Sequence, residues 1–284
     1  MRRNLMVAAL ALLAVGAWWF LIRDSAPPAP DIGSAAQVAA ASQATTTTAA
    51  PTTTTLAPTT TTAAPTTTAA APATTTVAPT TTATSTTTAA PVTTTVAPTT
   101  TASAVPTGTW TVDTSIGDYS DFTSSYVGFR VNEELGRGIG NTTAVGRTPL
   151  VTGEVQLDGT VLLSAEIRAD LRGLQTDRSF RDPKVQEALN TSTHPEAVFA
   201  LEGPIDLGDV DTSAEVSVPG TLTVNGVSQP VDVDLYADLV GNVLAVVGTF
   251  DVVFADHGVE VPSASIVIAV EDHGIVEIQL FLTR

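Results

Sequence analysis

The residue types best suited to chemistry lie together in one short polar insert, residues 174–199, which reads LQTDRSFRDPKVQEALNTSTHPEAVF. Arg178, Arg181 and Asp182 stand close together in it, and His194 follows near its end. A guanidinium presents a planar fork of donors, so two of them beside a carboxylate could bind a phosphate or another polar headgroup. The insert is therefore a candidate binding site for the polar end of a ligand.

The same insert also has a purely structural interpretation. Asp182 followed by Pro183 is a helix start, with the carboxylate as the N-cap acceptor and the proline at the first helical position. The arginines would then pair with nearby carboxylates such as Asp177 and Glu187. We expect a helix of about two turns here, with structural charges first and headgroup contacts second.

The three histidines, His194, His257 and His273, give little support for catalysis. A hydrolase needs a histidine beside a nucleophile and an orienting acid, and the sequence has no Gly-x-Ser-x-Gly segment. No pair of histidines has a spacing typical of metal ligands. His257 and His273 each stand in an Asp-His-Gly turn, where the Asp and Gly are what the turn needs. We predict no catalytic residue, no metal, no cofactor and no enzymatic activity.

The net charge and the lack of cysteine exclude further classes of partner and of chemical site. The formal net charge is −17, and residues 109–284 alone carry about −18, so neither nucleic acid nor an anionic membrane surface is an expected partner of this part. The chain has no cysteine, which excludes disulfides, thiolate nucleophiles and Cys-ligated zinc.

The first 24 residues indicate export. Arg2 and Arg3 precede an apolar run from Leu5 to Ile22, close to the ~20 residues that span a bilayer. Because the positive charges come first, the N-terminus should stay in the cytoplasm and the rest should lie outside. We predict an uncleaved signal-anchor at 1–24, a single-pass membrane helix; the alternative is a signal peptide cleaved near Ala17, which would give a secreted protein.

Residues 25–108 are almost entirely Thr, Ala and Pro. Such a composition lacks the apolar side chains of a core, and prolines recur every seven residues over much of it. We predict a disordered, semi-extended stalk that holds the following domain away from the membrane.

Residues 109–284 alternate between apolar and polar side chains with the period of a β-strand. In TVLLSAEIRADL, for example, Val161, Leu163, Ala165, Ile167 and Ala169 would share one face. Eight to ten such segments, separated by turn residues, predict an all-β antiparallel meander that closes as a barrel or packs as a sandwich. Closure is favoured because it removes exposed strand edges.

Several ordered motifs in this region resemble the YceI-like family, in its actinobacterial membrane-anchored form. The motifs are Trp110 to Asp113, YVGFRV at 126–131, VGRTPLVTGEVQLDG at 145–159, DRSFRD at 177–182, HPEAVF at 194–199, GTLTVNGVSQPV at 220–231 and FADHGVEVPS at 254–263. The chain departs from the family pattern in the insertion TSIGDYSDFTSS at 114–125 and in the residues after Asp182. We expect both departures to lie at the mouth of a barrel.

The resemblance implies a lipocalin-like antiparallel barrel of about eight strands with a short helix near one end. It further implies an apolar tunnel that holds an isoprenoid or another long-chain amphiphile, for transport, storage or sequestration. Patterning alone does not separate such a tunnel from a filled core, so a surface module that binds protein or glycan is the alternative, and a homodimer stays open. By strand parity the predicted tunnel wall is Val127, Phe129, Val131, Leu163, Ile167, Phe199, Leu222, Val233, Phe250 and Val252; the predicted headgroup contacts are Arg178, Arg181 and Asp182.

Overall fold

The computed structural model describes residues 26–46, 107–208, 212–262 and 267–284. These residues form thirteen strands and two α-helices, with three short 3₁₀ turns. The strands are β1 Gly108–Val112, β2 Tyr126–Leu135, β3 Gly140–Thr148, β4 Val151–Asp158, β5 Val161–Asp170, β6 Gln175–Thr176, β7 Glu196–Leu201, β8 Ile205–Asp206, β9 Ser213–Val224, β10 Val227–Val240, β11 Val243–Val253, β12 Val267–Val270 and β13 His273–Thr283. The helices are α1 Ile32–Thr46 and α2 Asp182–Ala188.

The strands form a closed antiparallel barrel. Its order is β1, β4, β5, β7, β9, β10, β11 and β13, and the pairing of β13 with β1 closes the ring at eight strands. Long hairpins such as β9–β10 and β11–β13 fix the register over most of the wall. The predicted all-β barrel is therefore confirmed, and the alternative of an open sandwich is wrong.

At two places in the ring of eight, a pair of strands shares one place: β1 with β2, and β3 with β4. β1 pairs with the last residues of β13 and β2 pairs with its first half, so both follow the same neighbour. β3 and β4 are separated only by Pro149 and Leu150, and they pair with β2 and β1 respectively. Proline cannot donate to a ladder, which explains the break at this point.

The polar insert follows β5, contains β6 and the short helix α2, and ends within β7. The helix begins one residue earlier than expected, because Asp182 is its first residue and Arg181 occupies the N-cap position without a side-chain cap. The Asp182 carboxylate instead accepts hydrogen bonds from Thr176 N at 2.8 Å and from Thr176 Oγ1 at 2.5 Å. The predicted capping role of Asp182 is therefore wrong: its carboxylate ties α2 to strand β6.

Residues 26–46, which we call the strap, contradict part of the predicted stalk. They belong to the same compact unit as the barrel, and the strap contains helix α1. Ala35 and Ala39 are fully buried against β10, β11 and β13. Alanine has the highest helix propensity, and residues 31–46 contain no proline, so this stretch folds although its overall composition resembles the Thr/Pro tract that follows.

The rest of the predicted N-terminal organisation falls on residues outside the described ranges. This applies to the predicted anchor at 1–24 and to the stalk between residues 47 and 106. Neither described helix is long and apolar enough to cross a membrane.

Candidate functional site

Two adjoining cavities occupy the interior of the barrel. The smaller one measures about 160 Å³ and the larger about 310 Å³. Val127, Ala197 and Val276 line both, so the cavities meet at these three side chains. The smaller cavity extends towards the first residues of β9 and β11, and the larger one lies under α2. Together they form an interior space that extends from the first residues of β9 and β11 to α2.

Nine of the ten side chains predicted for the tunnel wall line these cavities. Val127, Ile167, Phe199, Val233 and Phe250 line the smaller cavity, and Val127, Phe129, Val131, Leu222 and Val252 line the larger one. Strand parity therefore identifies the inner face correctly. Their contact with a ligand stays a prediction.

Leu163 is the exception, because a β-bulge interrupts β5 at this point. Gln156 pairs with Ser164 whereas the next residue, Leu157, pairs with Leu162, which leaves Leu163 as the extra residue. A bulge shifts the alternation by one position. Leu162 therefore lines the smaller cavity in place of Leu163.

The small residues Ala165, Ala169 and Gly220 of the barrel strands differ in whether they leave space in the interior. Ala165 and Ala169 do line the smaller cavity. Gly220 does not leave free space, since a Cβ atom there would lie 2.4 Å from Cε2 of Phe199. The Phe199 ring packs over this glycine, so Gly220 makes room for an aromatic wall residue and not for a ligand.

Four charged side chains form a cluster at the α2 end of the larger cavity. We call Glu133, Asp177, Arg178 and Arg181 the charged cluster. The Arg181 guanidinium contacts Glu133 and donates to Asp177 Oδ1 at 2.8 Å, and Arg178 Nε lies 3.8 Å from Asp177 Oδ2. Their side chains are between 2% and 12% exposed, so the pairs are largely desolvated. Burial raises the pKa of Glu133 above its ordinary value of 4.5, and the charge of Arg181 opposes this rise.

Both interpretations of the insert hold in part. Arg178 and Arg181 line the larger cavity as predicted for headgroup contacts, whereas Asp182 does not. Arg181 pairs with Asp177, as the structural interpretation expected, but Glu187 pairs with Lys184. Glu133 was not among the residues predicted from the sequence, although its parity with Val127, Phe129 and Val131 places it on the inner face.

The raised pKa of Glu133 predicts a specific pH dependence. The folded protein binds the Glu133 proton more tightly than the unfolded chain, so this stabilisation is complete below pH 4.5 and is lost as pH rises through the folded pKa. Glu133→Gln keeps the neutral form at every pH. We expect its free energy of unfolding, relative to wild type, to increase between pH 4.5 and neutrality. Urea unfolding across this range measures it, with the exposed neighbour Glu134→Gln as control; a difference that falls with pH would contradict the prediction.

A second buried ionic network lies on the outer face of the wall. Glu277 accepts hydrogen bonds from Arg130 Nε at 2.7 Å and from Arg147 Nη2 at 2.8 Å. Glu277 and Arg147 are at most 1% exposed. Glu277 pairs with Gly128 and Gly128 pairs with Arg147, so the three residues are in line across β13, β2 and β3. A Cβ on Gly128 would lie 2.7 Å from Cγ of Arg147, which means that this glycine provides the space through which Arg147 reaches Glu277.

The insertion at 114–125 covers this outer wall and does not form the mouth that we expected. Arg147 lies over the rings of Phe122 and Tyr126, 4.7 Å and 4.4 Å from their centroids. Tyr119 Oη donates to the Arg147 carbonyl at 2.6 Å. Burial raises the pKa of Tyr119 and of Tyr126 to about 12. Gln279 of β13 also donates to the carbonyls of Phe122 and Ser124, so the insertion covers outward side chains of β3 and β13.

The histidines occupy three different settings. His257 is buried, its Nδ1 lies 3.1 Å from the Val227 carbonyl, and it also lines the larger cavity. His273 is exposed and contacts the neighbouring Asp272 at 2.9 Å. His194 packs against Gly226. Among the residues that the structure describes, no group of three or more His, Asp or Glu side chains could hold a metal ion.

Comparison with solved structures gives several similar proteins, including three of low sequence identity. A polyisoprenoid binding domain from Saccharophagus degradans, implicated in plant cell wall breakdown, is 16% identical over 63% of this chain and 99% of its own, with a TM-score of 0.46. BcnA from Burkholderia cenocepacia is 19% identical over 56% of this chain and 96% of its own, with a TM-score of 0.43. A YCEI protein from Campylobacter jejuni is 14% identical over 49% and 84%, with a TM-score of 0.42.

Comparison with curated proteins and with family models gives two further results. No curated protein matches the chain. A family model described as the YceI-like domain matches residues 110–282, which include all eight strands of the closed barrel apart from their outermost residues. The chain belongs to the YceI-like family.

Proposed function

We propose that this protein binds the apolar chain of an isoprenoid or a similar long amphiphile inside its barrel, without transforming it. It would act outside the cytoplasm, attached to the membrane by its N-terminal segment or secreted after cleavage, in transport, storage or sequestration of the bound molecule. A homodimer stays a prediction.

The observation that carries this proposal is the pair of adjoining cavities. None of the described residues around the smaller cavity is charged, and Thr212 and Ser213 are the only polar ones among them. Two hydroxyl side chains are too few to pair the many polar groups of a sugar or peptide, whose burial without hydrogen bonds is costly. It does suit a hydrocarbon chain, because each buried CH₂ group contributes about 0.8 kcal/mol.

The two ends of the interior differ, which supports an amphiphile over a plain hydrocarbon. Only the larger cavity has charged side chains in its lining, namely Glu133, Arg178, Arg181 and Lys184 among the described residues. A polar headgroup would lie at this end, and the chain would pass Val127, Ala197 and Val276 into the smaller cavity. The arginines already pair with carboxylates, so a headgroup would share or exchange these contacts.

Two other functions receive less support. A surface module with a filled barrel would not need adjoining cavities in its interior. An enzyme would need a nucleophile or an acid and base near the bound chain. The candidate acid at the larger cavity, Glu133, is held by Arg181, and His257 contacts the Val227 carbonyl.

The test is lipid analysis of residues 26–284 purified from a bacterial host, a fragment that keeps both the strap and the barrel. We expect native mass spectrometry to find about one isoprenoid or fatty chain per protein, and solvent extraction to identify it. A folded protein without lipid that also takes up no added polyprenol would contradict the proposal. That result would favour the surface module.

A further inference from the structure

The strap is bound to the barrel at both of its ends. At its start, the carbonyls of Pro27 and Pro28 accept hydrogen bonds from Arg130 Nη2 at 2.7 Å and from Arg147 Nη2 at 2.6 Å. Near its end, Gln43 Nε2 donates to the Val240 carbonyl at 2.6 Å. Hydrogen bonds that involve a charged donor are stronger than neutral ones, so the start of the strap is the firmer attachment.

Between these two attachments, the strap buries its apolar face. Ala35 and Ala39 are at most 1% exposed and pack with Val243, Ala245, Val247 and Phe281 of the barrel wall. Small side chains on this face of α1 let the helix approach the sheet closely. At the N-terminus of the helix, Asp31 Oδ2 accepts a hydrogen bond from Ser34 N at 2.8 Å. The strap is thus a capped, packed element of the domain.

We infer that the strap holds the barrel close to the membrane surface, so that the length of the Thr/Ala/Pro segment 47–106 does not set the distance between barrel and membrane. This inference depends on the membrane anchor included in the proposed function. The last apolar residue of the predicted anchor is Ile22, and the strap is bound from Pro27 onward. The five-residue step from Ile22 to Pro27 spans at most about 18 Å even when fully extended.

If the segment were a stalk, the distance between the barrel and the bilayer could be about ten times greater. If residues 25–108 formed an extended stalk, the barrel could lie up to about 260 Å from the bilayer, at ~3.1 Å per residue. In the structure, α1 ends at Thr46 on the barrel domain and β1 begins at Gly108 on the same domain. The residues on either side of segment 47–106 therefore both lie in the barrel domain, so the strap, and not this segment, connects the barrel to the predicted anchor. A barrel so placed would exchange its ligand with the membrane that carries the anchor.

The experiment measures the height of the barrel above vesicles that contain the full chain. Because the chain has no cysteine, Ser164→Cys on the exposed side of β5 gives a single labelling site for a fluorescent donor. Acceptor lipids in the bilayer report proximity by energy transfer. Segment 47–106 is kept at full length or shortened by deletion of 55–94. Each of these two forms is made with the strap intact and with Ala39→Glu, which puts a charge into the buried face of α1.

With the strap intact, we expect strong energy transfer that does not change when the segment is shortened. With Ala39→Glu, we expect transfer to fall several-fold at full length and to recover on shortening. Ala40→Glu, on the exposed side of the same helix, is the matched control and should behave as wild type. Transfer that rises on shortening while the strap is intact would overturn the inference.

Membrane attachment is checked separately, by sedimentation of each labelled protein with vesicles after an alkaline wash. Protein left in the supernatant would contradict the anchor and, with it, the position of the barrel. The lipid-binding proposal would then still be decided by its own lipid analysis. A thermal melt of Ala39→Glu shows whether the barrel itself stays folded when the strap is released.

Discussion

Replacing Ile167 with glutamate is expected to abolish retention of the bound chain. Ile167 lies in the wall of the smaller cavity and pairs in register with Phe199 on β7. Among the described residues around the smaller cavity, only Thr212 and Ser213 could donate a hydrogen bond to a carboxylate, and none carries a compensating charge. Burial of an unpaired charge costs several kcal/mol, roughly the contribution of four or more CH₂ groups. Water drawn in by the carboxylate would remove the apolar environment of the chain.

Two further variants separate loss of binding from loss of folding. Ser164→Glu puts the same charge on the exposed side of the same strand and should retain lipid fully. Ala197→Phe keeps the interior apolar but narrows the junction of the two cavities, so we expect it to bind only shorter chains, or none. Lipid content is read by native mass spectrometry and folding by circular dichroism. A folded Ile167→Glu protein with normal lipid content would rule out the smaller cavity as part of the binding site.

The inner face of the barrel could be predicted because one physical rule determines it. Side chains alternate along a strand, so a buried face requires period-2 patterning, and this identified Phe129, Val233 and Phe250 among others. The rule fails where the strand itself is irregular. Leu163 lies at a bulge, and no feature of TVLLSAEIRADL distinguishes a bulged strand from a regular one.

The burial of the outer face of the barrel was not predicted, because the alternation of side chains was used only to identify the inner face. In β11, Val243, Ala245 and Val247 are apolar on the side opposite to Leu244 and Val246, which indicates a strand that is buried on both faces. This pattern shows that something covers the strand but does not identify the covering segment. The Ala-rich residues of the strap gave no clear sign of their own, since Ala is common in the Thr/Pro tract as well.

The charged side chains were the least predictable part. Glu133 and Arg181 are far apart in sequence, and only the packing of the polar insert against β2 brings them together. Arg147 and Glu277 meet because Gly128 lies between them, a coincidence of register across three strands. Pairing of this kind depends on tertiary contacts, which no local pattern encodes.

The largest loss of stability is expected from Glu277→Gln. The Glu277 carboxylate is fully buried and is the acceptor for both Arg130 and Arg147, so its removal leaves a buried guanidinium without a compensating charge. Breaking a buried ion pair in this way costs about 3–5 kcal/mol. Because the same arginines bind the carbonyls of Pro27 and Pro28, we also expect the strap to loosen. Urea unfolding at neutral pH measures the first effect and hydrogen exchange of α1 the second.

Two controls show whether burial causes this effect. Glu166→Gln breaks an ion pair with Arg168 in which both side chains are about half exposed, and should cost less than about 1 kcal/mol. The double variant Arg147→Met with Glu277→Leu removes both charges and should be more stable than Glu277→Gln alone, because replacing a buried pair with apolar groups avoids the uncompensated charge. Equal stability losses for Glu277→Gln and Glu166→Gln would mean that the outer network contributes no more than a surface pair. The network would then be too weak to fix the start of the strap, which would have to depend on the packing of Ala35 and Ala39 instead.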